Sequence, residues 1–221
     1  MIEWNRDAAS LVQITLVIVF FILLISKRRK LWKGTTYFIA ATAIVIGLEI
    51  FIFVIRRHIY QFNSQPYYTI FTNLFVFLLF FLYFRSILVF EKSRRLNLLM
   101  IILFLILYVL FALLSENFFS KFSIKFYFIE VILLIGNIYL VLKETFNSDK
   151  VLNIIYYYPF WACIGLMSIY LGVTPLLIIS NTGANLININ IFFIILFVVN
   201  FIGYSILITG ILFAKNINYI K

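Results

Sequence analysis

The chain has 221 residues, of which 65% are hydrophobic and only 12% are charged. Soluble domains are typically about 45–50% apolar and about 25% charged, so this composition excludes an ordinary water-soluble fold. The formal net charge is +10 at pH 7, but the basic residues form short clusters between apolar runs, which argues against a nucleic acid partner. The composition predicts an all-α integral membrane protein with membrane lipids around it.

Seven apolar runs are candidates for membrane-spanning helices, because about 20 residues at 1.5 Å each cover roughly 30 Å of hydrocarbon. The predicted spans are residues 10–26, 36–55, 68–90, 96–114, 122–142, 154–179 and 189–213. Polar or charged residues separate them, and no connection is long enough to fold alone. Residues 1–221 are therefore predicted to form one transmembrane domain, a bundle of about seven helices.

The first run is predicted to be a permanent helix rather than a cleaved signal peptide. A secretory signal carries its positive charges before the apolar run, whereas here Lys27, Arg28, Arg29 and Lys30 follow it. The alternation of spans then places each later loop on one side of the membrane or the other.

The distribution of basic residues predicts the orientation. If the N-terminus is outside, thirteen of the 18 basic residues lie on the inner side and five on the outer side. The inner set is Lys27, Arg28, Arg29, Lys30, Lys33, Arg85, Lys92, Arg94, Arg95, Lys143, Lys150, Lys215 and Lys221, and the outer set is Arg6, Arg56, Arg57, Lys121 and Lys125. Cytoplasmic loops carry the excess of Lys and Arg, so N-out and C-in is predicted, although Arg56 and Arg57 run against the rule.

Two acidic residues fall inside predicted spans, Glu49 in the second and Glu130 in the fifth. A charge near the bilayer centre costs roughly 3 kcal/mol, and such residues usually face the bundle or a wet cavity. Tyr127, Glu130 and Asn137 share one face of the fifth span, which predicts a polar stripe directed at other helices. Glu130 could fix packing, or it could handle a ligand or a proton. For Glu49, a structural pairing with Arg56 or water is favoured.

Two further positions are candidates for ligand binding. Asn73 lies near the outer end of the third span, and Trp161 shares a face of the sixth span with glycines whose spacing favours close helix packing. The candidates for ligand binding or proton handling are Glu130, Asn137, Tyr127, Glu49, Asn73 and Trp161.

The sequence lacks the motifs of most enzymes. Cys163 and His58 are the single cysteine and histidine, too few for a zinc site of three or four ligands. There is no Gly-rich phosphate loop, HExxH or CxxC motif. No catalytic residue, metal or cofactor is therefore predicted.

The sixth span carries a resemblance to a known group of proteins. It contains Tyr158-Pro159-Phe160-Trp161, Gly165, Tyr170-Leu171-Gly172 and Ser180-Asn181, with Glu130 and Tyr139 in the preceding span. This pattern resembles small bacterial multi-span membrane proteins often encoded beside sensor histidine kinases and response regulators. The resemblance covers residues from Tyr68 onwards, and it implies a receptor-like or accessory role beside a signalling partner such as a sensor kinase.

Three functions are compatible with these features. The first is a receptor-like or accessory subunit of transmembrane signalling in the bacterial inner membrane, without chemistry of its own. The second is a small transporter or proton-coupled carrier in which Glu130 titrates. The third is a membrane-embedded lipid enzyme that uses Glu49 or Glu130, which the absence of paired acids or nucleophiles at useful spacing disfavours.

Overall fold

The apolar runs of the sequence form long helices. The computed structural model describes residues 6–59, 62–181 and 189–215, which contain no strand. In chain order the elements of this part are α1 (Arg6–Lys27), α2 (Thr35–His58), α3 (Gln65–Ile87), α4 (Glu91–Leu114), α5 (Ile124–Phe146), the 3₁₀ helix Asp149–Tyr156, α6 (Tyr158–Asn181) and α7 (Ile189–Phe213).

Length and composition agree with a multi-pass membrane protein. Within the described ranges, six helices, α2 to α7, are long and apolar enough to cross a membrane. The described apolar part of α1, Leu11–Lys27, is shorter. The predicted class, an all-helical membrane protein with several spans, is thereby confirmed.

The outward faces of the helices are apolar, as a lipid environment requires. On α4, Leu113 and Leu114 are 77% and 80% exposed, and on α5 Ile132 is 65% exposed. Helices that are apolar all round occur in membranes because lipid tails solvate their outer faces. The polar side chains of the spans are concentrated on inward faces instead.

The helix ends form two groups. At the first, which we call the basic end, the loops 28–34, 88–90 and 147–157 meet the C-terminal end of α7. Here the Ser86 hydroxyl donates to the Lys33 carbonyl at 3.3 Å, and the Lys215 amide donates to the Tyr156 carbonyl at 3.2 Å. At the other, the far end, the Asn63 side chain donates to the Ser120 carbonyl at 3.1 Å.

Helices α6 and α7 pack most closely, through glycines. A Cβ added at Gly165 would lie 2.5 Å from Leu207 and 3.2 Å from the Gly203 carbonyl, and one at Gly203 would lie 2.2 Å from Ile169. Small residues permit this approach because no side chain separates the two backbones. The predicted packing role of these glycines is confirmed.

The far-end half of α3 is not a regular α-helix. Residues Tyr68–Val76 form a π-helix of nine residues, which contains the polar side chains of Thr69, Thr72 and Asn73. π-Helices are rare in proteins, and many of those that occur lie at functional sites. Sequence periodicity does not reveal such a segment.

Helix boundaries differ from the predicted spans at the basic end. Helix α3 ends at Ile87 rather than residue 90, because Leu88 is extended, and α4 begins at Glu91 after the extended Phe90. The start of the predicted sixth span, 154–156, belongs to the 3₁₀ helix. Lys221 and most of the predicted loop between the last two spans, 182–188, lie outside the described residues.

Candidate functional site

Glu130 lies in the interior of the bundle without a hydrogen-bond partner. Its side chain is 0% exposed, and neither carboxylate oxygen has a partner among the described residues. It is the seventh residue of α5, about 9 Å from the far-end start of that helix at 1.5 Å per residue. A buried polar group normally has a partner, so an orphaned carboxyl group requires an explanation.

Tyrosines from three helices surround Glu130. The carboxyl group interacts electrostatically with Tyr108 of α4, Tyr127 of its own helix and Tyr170 of α6. The Tyr108 hydroxyl donates to the Thr69 carbonyl of the π-helix at 3.4 Å. Four helices, α3 to α6, therefore contribute to the surroundings of this one acid.

Tyr127 joins α5 to α6 beside Glu130. Its hydroxyl donates to the Tyr170 carbonyl at 3.2 Å, and Thr174 donates to the same carbonyl at 2.7 Å. Pro175 follows, and its missing amide leaves one carbonyl of α6 without its helical partner. Tyr127 and Glu130, which were predicted to share one face of the helix, interact electrostatically, and Tyr170 lies beside them.

Asn137 is buried but belongs to a different polar group. Its Oδ1 accepts from Asn97 Nδ2 at 2.5 Å, and its own Nδ2 donates to the Leu133 carbonyl at 2.8 Å. Asn97 also donates to the Phe81 carbonyl at 3.2 Å, so three helices meet here. Because its hydrogen bonds are satisfied, Asn137 has the geometry of a packing residue, two helical turns from Glu130.

Glu49 occupies the far-end half of α2 and is partly exposed. The Tyr68 hydroxyl donates to its Oε1 at 3.2 Å, and Arg56 attracts it at longer range. The Arg56 guanidinium itself donates to the Ser64 hydroxyl at 2.6 Å. The structure thus gives Glu49 a tyrosine as its direct partner, with Arg56 toward the far-end surface.

Two cavities lie near these acids. A small one of about 50 Å³ lies among α1, α2, α3, α6 and α7, and the polar residues in its lining are Thr42, Tyr170 and Tyr204. An open groove of about 380 Å³ between α2 and α3 is lined by Ile44, Gly47, Leu48, Phe51, Tyr67 and Phe71. The lining of the first includes three residues with hydroxyl groups, whereas the lining of the second is almost entirely apolar.

No match supplies a function for this site. The chain matches no protein-family model, and no curated protein or solved structure matches it.

Asn73 and Trp161, the two remaining candidates, lie in different parts of the bundle. Asn73 is buried in the π-helix of α3, close in sequence to Thr69, whose carbonyl bonds Tyr108. Trp161 lies at the basic end, where its Nε1 donates to the Ile155 carbonyl at 2.8 Å and its ring stacks on Phe213. Trp161 therefore anchors α6 to its neighbours and is not part of the Glu130 site.

The structure adds four polar residues that the sequence reasoning did not select: Tyr108, Tyr170, Tyr204 and Asn97. Each lies in an apolar run, where tyrosines and an asparagine carry no spacing motif. Tyr170 could have been selected from the sequence, since it lies in the segment of the sixth span that carries the resemblance to other membrane proteins. The others required the tertiary structure, because their partners are 16 to 40 residues away or on another helix.

The basic end contains a second buried acid, Glu144. Its two carboxylate oxygens accept from the amides of Val89 and Phe90, at 2.8 and 3.2 Å, where α3 gives way to α4. Lys150 lies nearby, with its ammonium 5.1 Å from the ring centres of both Trp32 and Tyr157. Burial lowers the pKa of Lys150, and the negative charge of Glu144 opposes that shift.

Metal chemistry gains no support from the geometry. Within the described residues, no group of three or more His, Cys, Asp or Glu side chains could hold a metal ion. Cys163 is buried and not part of a disulfide.

Proposed function

We propose that this protein is a receptor-like or accessory membrane subunit that passes a cue from the far end, or from within the membrane, to a signalling partner. The observation that carries the proposal is the unpartnered Glu130 carboxyl group among helices α3 to α6. No nucleotide-binding or phosphate-binding motif occurs in the sequence, so the signal would pass through helix contacts.

Glu130 suits a protein that changes between two arrangements. An ionised carboxyl group without a partner is costly in a low-dielectric interior. The cost falls if the group is protonated or if a helix shift supplies a hydrogen-bond partner. A cue that favours one arrangement over the other shifts the population between them. The π-helix and the proline in α6 lie on two of the helices concerned, where regular backbone bonding is already interrupted.

The proposed topology has seven spans in the bacterial inner membrane, N-out and C-in, with α1 as the first. Supporting this, α1 forms one helix over Arg6–Lys27 and buries Val17, Phe20 and Leu24 against the bundle. In this orientation the basic end faces the cytoplasm. Labelling of single cysteines with an impermeant reagent on intact cells is expected to modify Glu116→Cys but not Asp149→Cys. The reverse pattern would contradict the orientation.

The signalling role is tested by replacing Glu130 without changing its shape. In a strain lacking the gene, complementation with Glu130→Gln is expected to abolish the transcriptional response of neighbouring signalling genes to membrane or nutrient stress. Glu116→Gln, the same change in an exposed far-end loop, is the matched control and should restore the response. A full response with Glu130→Gln, at equal protein levels, would contradict the proposed role of Glu130.

A proton-coupled carrier is the second candidate, and the small cavity lined by Thr42, Tyr170 and Tyr204 favours it. At about 50 Å³ the cavity has room for water rather than for an organic solute, so a carrier of this kind would need a second, more open arrangement. In proteoliposomes, a pH gradient should then drive uptake by the wild-type protein but not by Glu130→Gln.

A further inference from the structure

We infer that the cavity lined by Tyr170 and Tyr204 holds water and forms the middle of a proton route between Glu49 and Glu130. This inference deepens the proposed function, because it supplies the path by which the far end would communicate with Glu130. It assigns the cavity a ligand class, water and its protons, and it assigns Glu49 a role other than packing.

The first part of the route follows from the geometry of α2. Thr42, Val45 and Glu49 are spaced by three and four residues, so they share one face of the helix. Thr42 and Val45 line the cavity, which places Glu49 one turn beyond it toward the far end. Tyr204 also lines the cavity, and it interacts electrostatically with Glu49.

The second part links the cavity to Glu130. Tyr170 lines the cavity from α6 and interacts electrostatically with both Tyr204 and Glu130. The Tyr127 hydroxyl, on the same helix face as Glu130, reaches the Tyr170 carbonyl at 3.2 Å. Tyr170 and Tyr127 therefore lie between the cavity and Glu130.

The cavity meets the requirements of a buried water site. A water molecule needs about 10–15 Å³ of space for its centre and two to four polar partners, and an apolar cavity stays empty. About 50 Å³ is available, and three residues of the lining, Thr42, Tyr170 and Tyr204, carry a hydroxyl group. The Thr42 hydroxyl donates to the Phe38 carbonyl at 2.8 Å, which leaves its lone pairs able to accept a hydrogen bond.

Proton transfer along this path conserves every atom and forms no tyrosinate. A proton from far-end water binds Glu49, and each hydroxyl or water along the route accepts one proton on its oxygen and donates the one it held. The last donation protonates the Glu130 carboxylate, so the net change is one proton moved from far-end water to Glu130. The titratable and charged groups around the two acids are Tyr68, Arg56 and Tyr204 at Glu49, and Tyr108, Tyr127 and Tyr170 at Glu130.

The route is tested by the exchange of the Glu130 proton for deuterium in the purified full chain in lipid nanodiscs. Infrared spectroscopy follows the carboxylic acid carbonyl band, which is assigned to Glu130 by its loss in Glu130→Gln. Tyr204→Phe, Tyr170→Phe and Glu49→Gln are each expected to slow the exchange of this band at least tenfold. The phenylalanines keep the rings and remove only the hydroxyls, so the contact of residue 204 with Phe20 at 5.7 Å is retained.

The matched control is Tyr139→Phe, since Tyr139 lies on α5 but is 60% exposed on the outer face. Its exchange rate should stay within twofold of wild type. If one cavity variant does not fold, Thr42→Val serves in its place, because it removes a cavity hydroxyl at nearly constant volume.

Two results would overturn the route. One is an exchange rate within twofold of wild type in all the folded cavity variants. The other is the absence of any Glu130-dependent carboxylic acid band at all values of pH. Slowed exchange together with a normal signalling response in the same variants would instead contradict the proposed function and leave the route intact.

Discussion

Glu130 and Glu144 lie on the same helix, α5, and both are almost fully buried, at 0% and 6% exposure. Glu144 accepts two backbone hydrogen bonds where α3 meets α4, and Lys150 lies nearby. Glu130 has no partner for either oxygen among the described residues. Burial alone therefore does not define a site: Glu144 is bound by backbone amides, whereas Glu130 is available for a proton or a partner.

The largest effect on the free energy of unfolding is expected from the removal of the Glu144 carboxylate, which accepts two backbone hydrogen bonds. Glu144→Ala deletes two charge-assisted hydrogen bonds and leaves the amides of Val89 and Phe90 without their acceptor. Hydrogen bonds to charged groups contribute roughly 1.5–3 kcal/mol each, so the free energy of unfolding should fall by about 3 kcal/mol. Reversible unfolding in mixed detergent micelles measures this change, and a loss below about 1 kcal/mol would contradict the structural role.

A smaller effect is expected on the pH dependence of stability, from Lys150, which lies near Glu144. The pKa of Lys150 is lowered from its ordinary value of 10.5 by burial, so the unfolded chain holds this proton to higher pH than the folded chain does. The contribution of Lys150 to the free energy of unfolding therefore rises with pH between its pKa in the folded chain and its pKa in the unfolded chain. Lys150→Met should lose that rise when the two proteins are unfolded from pH 8 to 10.5. Parallel pH profiles of wild type and variant would argue against the shift.

The smallest effect on stability is expected at Glu130. Glu130→Gln removes no hydrogen bond from the described residues and replaces an ionisable group by a neutral one of similar size. The free energy of unfolding should change by less than about 1 kcal/mol, and an increase is compatible with the proposal, because neutral replacements of costly buried charges are often stabilising. The same unfolding assay decides the point. A loss as large as that of Glu144→Ala would mean that Glu130 holds the fold together.

The sequence could predict Glu130 because an acid in an apolar run is costly wherever the chain folds. It could not distinguish Glu130 from Asn137, which shares its face of α5. Only the tertiary contact with Asn97, 40 residues earlier, shows that Asn137 is satisfied within the bundle. Periodicity likewise assigned Trp161 to a face of its helix, but it could not identify the neighbours of that side chain, the Ile155 carbonyl and Phe213.

The tyrosines of the candidate site also could not be identified from the sequence without the tertiary structure. Tyr170 and Tyr204 lie in apolar runs where any large side chain would satisfy the composition. Their value to the candidate site comes from a shared cavity, which depends on how α6 and α7 sit against α2. The glycines between α6 and α7 permit that approach, and their spacing is visible in the sequence.

The amino-acid sequence is sufficient to identify a helical membrane protein, to locate its apolar runs and to single out Glu49 and Glu130 as unusual. Those properties follow from the solvation of apolar and charged groups, which is local to each segment. The tertiary structure alone decided which acid is satisfied, where the π-helix lies in α3, and which tyrosines meet. Hydrogen-bond partners and cavities arise between helices, so residues far apart in sequence determine them together.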